Sequence, residues 1–287
     1  MGLEETIKNR YSFSLAETYK WITCINQGMN KTLPDAELRT MLFCMLRNSK
    51  AISFDLHEVA LFRARYLENP ESPFTKASEL MAPPKEVVSK YGRCNQPNQS
   101  VFYGANNIPT MFAEMRAQKG DHFQYFEFKG LKNTYIRAGF VGLIDHYRRY
   151  NSIPPLFGEQ SKDLEEKIKV IQAQLSKEEW SKMLLVDAFL ADWFRKRIPS
   201  SDNLDYNVTA AFTNYHFEQP VEALVYPSVA HLGGWNLAIK PEISLEKFTV
   251  MSGGIFRLDE DLGYGLYNAS AIKSVDTISS SGIEWHS

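Results

Sequence analysis

The chain has 287 residues, of which 44% are hydrophobic and 23% are charged, a composition typical of a globular protein with a sizeable core. Its 32 basic and 34 acidic residues leave a net charge of -2, which gives no electrostatic reason to expect nucleic acid as a ligand. An anionic small molecule would instead need a local group of basic side chains.

Cys24, Cys44 and Cys94 form no CxxC pair, so the sequence predicts neither a disulfide framework nor a zinc site. The six histidines never fall at metal-ligand spacing either, and we expect no metal. The N-terminus lacks the apolar core of a signal peptide, and no run of about 18 apolar residues indicates a membrane span. A reducing cytoplasm is the expected compartment.

Two helices are predicted in the first fifty residues. Apolar side chains recur at helical spacing from Phe13 to Ile22, and a second helix follows the start signal formed by Pro34 and Asp35. Residues 58–67 predict a strand, and a long connection interrupted by prolines comes next.

From Ser100 the pattern becomes strand, helix, strand and strand, in the segments SVFYGA, PTMFAEMRAQK, HFQYFEFKG and NTYIRAGFVGLI. Helical spacing returns between about 160 and 198, with a capping box at 176–179. A helix in DYNVTAAFTNYHF precedes three β segments, EALVYPSV, GGWNLAIKP and FTVMSGGIFRL. We expect a loose tail from about Asn268. This order predicts an α+β fold.

The segment YGRCNQPNQSVFYGANNIPTMFAEMR, residues 91–116, holds three side chains suited to one kind of chemistry. Arg93 lies ten residues before Tyr103, which lies eleven residues before Glu114. A guanidinium binds a diphosphate through paired hydrogen bonds, a tyrosine ring offers a stacking surface, and a carboxylate stabilises an oxocarbenium ion. Together they suit cleavage of a glycosidic bond to a good leaving group in a phosphate-containing nucleotide.

Each of these side chains also has an ordinary structural interpretation. Arg93 can brace a loop, and Tyr103 can be half-buried core at the end of a strand. Glu114 can pair with Arg116 or Lys119 on a solvated face. Spacing by itself does not decide between these interpretations and a shared site.

A second segment, VYPSVAHLGGWNLAIKP at residues 225–241, carries groups that can bind a ligand. Ser228 follows a predicted strand, the pair 233–234 is Gly-Gly, and Asn236 enters the next strand. The glycines allow close backbone approach to a ligand, and the polar side chains can donate hydrogen bonds. The ordinary alternative is a glycine hairpin in which Trp235 fills the core.

Both segments resemble the RES domain, a family named for its Arg, Glu and Ser and known mainly as the toxin half of bacterial toxin–antitoxin pairs. The family motif GRWN appears here as GRCN, with Cys94 in place of tryptophan. The strand tyrosine of the family matches Tyr103, and its helix glutamate matches Glu114. Its early arginine matches Arg63 in LFRAR.

The late part of the family pattern is YPS with a downstream asparagine. Here YPSV supplies Ser228, and GGWNLAI supplies Asn236. The resemblance covers roughly residues 58–258. It implies an ADP-ribosyltransferase-like fold with a split mixed β-sheet core, to which this sequence adds N-terminal helices and a helical insertion.

The implied domains are an N-terminal helical extension (1–57), a RES-like catalytic domain (58–267) with a helical insertion at about 160–198, and a C-terminal tail (268–287). By the same resemblance, Arg93 binds the phosphate–ribose portion of NAD and Tyr103 stacks near nicotinamide. Glu114 supports the ribosyl cation and orients the acceptor, and Ser228 lines the same cleft. The remaining ligand-binding candidates are Arg63, Asn95 and Asn236.

The implied function is cleavage of the nicotinamide–ribose bond of NAD, which is the substrate, by hydrolysis or phosphorolysis. One alternative is an ADP-ribosyltransferase that modifies a protein target, and another is a catalytically inactive nucleotide-binding module. The implied partner is a small antitoxin protein that occludes the cleft. A homodimer is one option for the oligomeric state.

Overall fold

The computed structural model describes residues 13–46, 53–154, 158, 160–198, 203–279 and 282–285. Within these residues the chain forms eight α-helices and ten β-strands. The helices are α1 (Leu15–Asn26), α2 (Asp35–Leu46), α3 (Ile108–Met115), α4 (Leu143–Tyr150), α5 (Ser161–Gln174), α6 (Lys177–Arg195), α7 (Asn207–Phe217) and α8 (Pro241–Lys247). The strands are β1 (Ser53–His57), β2 (Ala60–Leu67), β3 (Phe102–Ala105), β4 (His122–Gly130), β5 (Tyr135–Phe140), β6 (Ala223–Pro227), β7 (Trp235–Ile239), β8 (Phe248–Gly263), β9 (Leu266–Ser279) and β10 (Gly282–Trp285).

The chain divides into two compact units, each built from three separate segments. The first, which we name the helical unit, consists of Met1–Ser53, Lys90–Pro97 and Gly139–Pro220. The second, which we name the sheet unit, consists of Phe54–Ser89, Asn98–Ala138 and Val221–Ser287.

The helices of the helical unit begin at strong local signals. Ser14 caps α1 in a capping box with Glu17, in which each side chain accepts a hydrogen bond from the backbone of the other. The predicted capping box of Ser176 and Glu179 is confirmed at the start of α6. In the folded unit α1 packs with α6, and α2 packs with α7. The largest fully buried side chains of this unit are Ile25, Leu38, Leu42, Met45, Phe194 and Phe212.

The sheet unit is built on one ten-stranded sheet in the order β1-β5-β6-β7-β3-β2-β4-β8-β9-β10. Neighbouring strands from β6 to β10 in this order pair antiparallel. Helix α3 contacts one face, where Phe112 packs with Ala64, Phe123 and Leu258 in a single apolar cluster. This packing fixes the position of the helix that carries Glu114.

Strands β2 and β3 pair over far fewer residues than the neighbouring strand pairs do. These two strands pair at Phe62 and Ala105. By contrast, β2 pairs with β4 along all eight of its residues, and β3 pairs with β7 along its whole length. The sheet therefore consists of two broad parts that separate just beyond one residue pair.

The predicted α+β class is confirmed by the combination of this sheet with eight helices in the described residues. The two N-terminal helices and the helical stretch between 160 and 198 are also present as predicted. The unit boundaries differ from the predicted domains, which followed chain order. Because α1 and α2 pack on later helices, Gly139–Pro220 belongs with the N-terminal helices.

The predicted loose tail from Asn268 is wrong for residues 268–279 and 282–285, whereas 280–281 and 286–287 lie outside the described residues. Asn268 lies within β9, which pairs with β8 over most of its length, and β10 pairs with β9. Few of these residues are buried, so the tail lacks the apolar pattern by which a strand is recognised. Its order comes from backbone hydrogen bonds to a neighbouring strand, which local sequence does not reveal.

Candidate functional site

Glu114 lies at the end of α3, a short helix whose limits are set by local signals. The Asn107 side chain accepts a 2.8 Å hydrogen bond from the Thr110 N–H and so caps the first turn. Pro109 occupies that turn, where its missing N–H breaks no helical hydrogen bond. The helix ends at Arg116, which takes a left-handed conformation with φ of 52°. Glu114 is thus held in the last turn of a well-defined helix.

The Glu114 carboxylate brings the two motif segments together. Its Oε1 accepts a 2.6 Å hydrogen bond from Ser228 Oγ and another of 2.6 Å from Asn236 Nδ2. Both donors are buried, whereas Glu114 is exposed. Hydrogen bonds to an ionised acceptor are stronger than those between neutral groups. The carboxylate is therefore oriented by two fixed donors while it stays accessible to a ligand.

Ser228 is itself held in place by the loop that follows β6. Its Oγ accepts hydrogen bonds from the N–H groups of Ala230, at 3.2 Å, and His231, at 3.0 Å. Its own N–H donates to Gly234 O at 2.8 Å. A hydroxyl has one proton and two lone pairs, so with both lone pairs engaged the proton is directed to Glu114. We interpret Ser228 as a donor that orients the carboxylate.

Tyr103 and Asn236 lie on the same face of the sheet. In the pairing of β3 with β7, Asn236 opposes Ala105, and Tyr103 comes two residues before Ala105. Alternate residues of a strand point to one face, and directly opposed residues of neighbouring strands share a face. The half-buried Tyr103 ring therefore stands on the face that carries a donor to Glu114.

Arg63 connects β2 to β3 where their backbone pairing stops. Its Nε donates to Leu80 O at 2.6 Å, and its Nη1 donates to Tyr103 O at 2.7 Å. The guanidinium lies 5.2 Å from the centroid of the Phe102 ring. Burial, together with the smaller effect of the Arg65 charge, lowers the pKa of Arg63 to about 10. Arg63 is still charged at neutral pH and braces the point where the sheet divides.

Arg93 belongs to the helical unit, where its guanidinium covers the C-terminal end of α6. Nη1 donates to Phe194 O at 2.7 Å and to Trp193 O at 3.3 Å, and Nη2 donates to Lys196 O at 3.2 Å. The last carbonyls of a helix lack intrahelical partners and carry partial negative charge. The guanidinium also lies 5.1 Å from the centroid of the Tyr206 ring. These contacts agree with the bracing interpretation of Arg93.

Asn95 closes the turn formed by GRCN. Its carbonyl accepts a 2.9 Å hydrogen bond from the Gly92 N–H, and its Nδ2 donates to Lys90 O at 3.3 Å and Gln96 O at 3.2 Å. Asn95 and Cys94 are both buried. The asparagine therefore supports the turn through backbone carbonyls.

The candidate residues thus fall into groups according to their contacts. In the sheet unit, side-chain hydrogen bonds join Glu114, Ser228 and Asn236. In the same unit, the Arg63 guanidinium binds the backbone of Tyr103. The other two candidates are Arg93 and Asn95, and their hydrogen bonds described above are made to residues of the helical unit.

Sequence reasoning by itself does not single out His231, although it lies between Ser228 and the two glycines. His231 Nδ1 lies 2.7 Å from Thr110 Oγ1 and so links this loop to α3. Gly234 also serves this contact, because a Cβ on Gly234 would lie 2.4 Å from Thr110 Oγ1. We predicted that the glycines let the backbone approach a ligand closely, but at Gly234 the backbone approaches α3 instead.

Among the residues that the structure describes, no group of three or more His, Cys, Asp or Glu side chains is placed to hold a metal ion. Over the same residues, no helix combines the length and apolar character needed to cross a membrane.

No protein-family model and no curated protein sequence matches this chain. The resemblance to RES domains therefore rests on the motif segments themselves, and the contacts of Glu114 are the structural observation that links them.

Proposed function

We propose that this chain is an NAD-consuming enzyme of the RES type, which cleaves the nicotinamide–ribose bond. The observation that carries the proposal is the hydrogen bonding of Glu114 to Ser228 and Asn236, which lie 114 and 122 residues further along the chain. Two segments that resemble the same family independently therefore meet at one carboxylate. An exposed carboxylate needs no buried donors for stability, so their presence supports a functional role.

An ADP-ribosyltransferase-like core is part of the same proposal. In its favour, β2 and β3 pair at one residue pair, and the Arg63 guanidinium binds the β3 backbone beyond it. Such a division is what the split sheet of the proposed fold requires. Tyr103 lies on β3 at the edge of that division and is the proposed stacking surface for nicotinamide.

The proposed reaction breaks the bond between ribose C1′ and the nicotinamide nitrogen, and the electron pair leaves with nicotinamide as a neutral base. The ribose takes up positive charge, which the Glu114 carboxylate stabilises. Ser228 and Asn236 hold the carboxylate in advance, so little reorganisation accompanies the development of charge. An acceptor oxygen then bonds to C1′ and gives up its proton to solvent.

Tyr103 and Asn236 form the proposed NAD-binding set of the sheet unit. Arg63, Arg93 and Asn95 are not included, because their donors already bind backbone carbonyls. This assignment makes Arg93 a structural residue of the helical unit.

The direct test is nicotinamide release from NAD by the purified protein, followed chromatographically. Glu114→Gln keeps the side-chain volume and an oxygen that can accept from both donors, so the fold should persist. It removes the negative charge, and we expect kcat to fall about 100-fold or more, the order of loss seen when a group that stabilises transition-state charge is removed.

A matched control is Glu242→Gln, which changes an exposed glutamate in α8 of the same unit. We expect this variant to retain the wild-type rate. Turnover by Glu114→Gln at the wild-type rate would overturn the proposal. Binding of NAD without turnover by the wild-type chain would instead select the inactive nucleotide-binding module.

The acceptor is identified by product analysis. Free ADP-ribose as the product indicates that water is the acceptor. ADP-ribose phosphorylated at C1′, formed only in phosphate buffer, indicates phosphorolysis. Labelled ADP-ribose attached to a protein indicates a transferase. We propose hydrolysis or phosphorolysis in the cytoplasm, with a small antitoxin protein as the natural inhibitor. Expression in a bacterium should then deplete NAD and stop growth, whereas expression of Glu114→Gln should do neither.

A further inference from the structure

The His231 imidazole lies between α3, which carries Glu114, and the turn between β8 and β9. Its Nδ1 lies 2.7 Å from Thr110 Oγ1 on α3, and its backbone N–H donates to Ser228 Oγ at 3.0 Å. The opposite edge of the ring faces the turn between β8 and β9, where a Cβ on Gly265 would lie 2.4 Å from His231 Nε2. The His231 side chain thus contacts the helix that carries Glu114 and the β8–β9 turn, and the His231 backbone N–H holds Ser228 in the same loop.

The same contacts argue against proton transfer by this ring. A general acid or base needs a nitrogen within hydrogen-bonding reach of the reacting group. Here Nδ1 is engaged by Thr110, and the Nε2 edge is covered by Gly265. The ring is therefore placed to hold neighbouring elements together.

We propose that His231 is a positioning residue that keeps the Glu114 carboxylate in its reactive orientation; this inference rests on the proposed function. Thr110 and Glu114 are four residues apart in α3, so they share one face of the helix. The His231 imidazole forms a hydrogen bond with Thr110. The His231 backbone N–H donates to Ser228 Oγ, and the Ser228 hydroxyl in turn donates to Glu114.

The turn between β8 and β9 offers a matched pair of substitutions that isolates the ring. Gly263 and Gly265 both have φ of +77°, so alanine at either position introduces a similar backbone strain. A Cβ on Gly265 collides with the imidazole. A Cβ on Gly263 would meet no atom of the described residues within 4 Å. A difference between the two variants therefore reports displacement of His231.

The experiment measures nicotinamide release by wild-type protein, His231→Ala, Gly265→Ala, Gly263→Ala and the double variant His231→Ala/Gly265→Ala. We expect His231→Ala and Gly265→Ala each to lower kcat about tenfold with KM changed less than about twofold, since carboxylate orientation acts mainly in the transition state. Gly263→Ala should keep kcat within about twofold of wild type. The double variant should equal His231→Ala, because no ring remains to be displaced.

Two further measurements separate positioning from general damage to the fold. Urea unfolding gives the folded fraction by which each kcat is corrected. The conservative variant His231→Asn can present an amide nitrogen near the position of Nδ1, and we expect it to recover most of the lost kcat.

Equal losses in Gly263→Ala and Gly265→Ala, a wild-type kcat in His231→Ala, or an effect confined to KM would each overturn this inference and leave the proposed function standing. Absence of nicotinamide release by the wild-type protein would overturn both.

Discussion

A single oxygen of Glu114 accepts hydrogen bonds from two buried side chains, Ser228 and Asn236. Most exposed carboxylates gain little from such contacts, because water already solvates them. The benefit here is orientation, since the donors are fixed by a loop and by β7. At the scale of the residue, the site is a carboxylate whose position is determined by its neighbours.

Replacement of Ser228 by alanine tests this view. Ser228→Ala removes one donor to Glu114 and leaves two backbone N–H groups without their acceptor. We expect kcat for nicotinamide release to fall about tenfold, as loss of a hydrogen bond to a charged group predicts, and the free energy of unfolding to fall by about 1 kcal/mol. Steady-state kinetics and urea unfolding measure the two effects.

The control is Ser252→Ala, which removes a serine hydroxyl that donates to Glu127 at 2.8 Å on the β4–β8 pair. Its kcat should stay at the wild-type value. Mass spectrometry during turnover should find no ADP-ribose on Ser228. A covalent adduct there would contradict its role as a donor.

At the scale of the element, the C-terminal end of α6 depends on an arginine from a distant turn. Arg93 supplies donors to the carbonyls of Trp193, Phe194 and Lys196 at the end of the helix, where the regular pattern of intrahelical hydrogen bonds stops. The GRCN turn thereby helps to hold the long helix of the helical unit. A motif arginine can thus have a structural role that its resemblance to a family does not reveal.

This assignment predicts a stability defect for Arg93→Ala. We expect the free energy of unfolding to fall by about 1–3 kcal/mol because charge-assisted hydrogen bonds to helix carbonyls are lost. The KM for NAD, corrected for the folded fraction, should not change. Arg39→Ala is the control, since Arg39 forms an exposed ion pair with Glu218 worth at most about 1 kcal/mol. A raised KM in folded Arg93→Ala protein would restore Arg93 as a ligand for NAD phosphate.

At the scale of the whole molecule, buried titratable groups set the response to acid. His216 in α7 is 6% exposed and packs 4.2 Å from the Phe212 ring centroid, and burial lowers the pKa of His216 to about 4. Burial raises the pKa of Asp187 to about 6 against the opposing effect of backbone N–H groups from Asp145 and Gly142. The two groups act on stability with opposite signs as pH falls.

The sign for His216 follows from its folded-state pKa, which lies below the unfolded value of about 6.5. Its contribution is fully present above pH 6.5 and is lost as pH falls toward 4, by roughly 3 kcal/mol at most. His216→Leu should therefore weaken the loss of stability between pH 6.5 and 4. Urea unfolding across this pH range measures the free energy of unfolding, and the same dependence on pH in His216→Leu as in the wild type would contradict the prediction. Asp187 is common to both proteins and cancels in the comparison.

Local signals in the sequence were sufficient for most of the elements. The capping box at Ser176 and the start signal at Asp35 predict helices that the structure contains, because caps and helical periodicity act within a few residues. The segments around Tyr103 and Asn236 are strands as predicted. The same local rules missed β9, whose order depends on pairing with β8.

The sequence by itself determined most helices, most strands and the two motif segments that hold the candidate residues. Only the tertiary structure decided that Glu114 meets Ser228 and Asn236, and that Arg93 serves α6. It also decided that His231 lies between α3 and the β8–β9 turn. The physical reason is range. Capping and periodicity act between near neighbours in the chain, whereas the contacts of Glu114 and Arg93 join residues about one hundred positions or more apart.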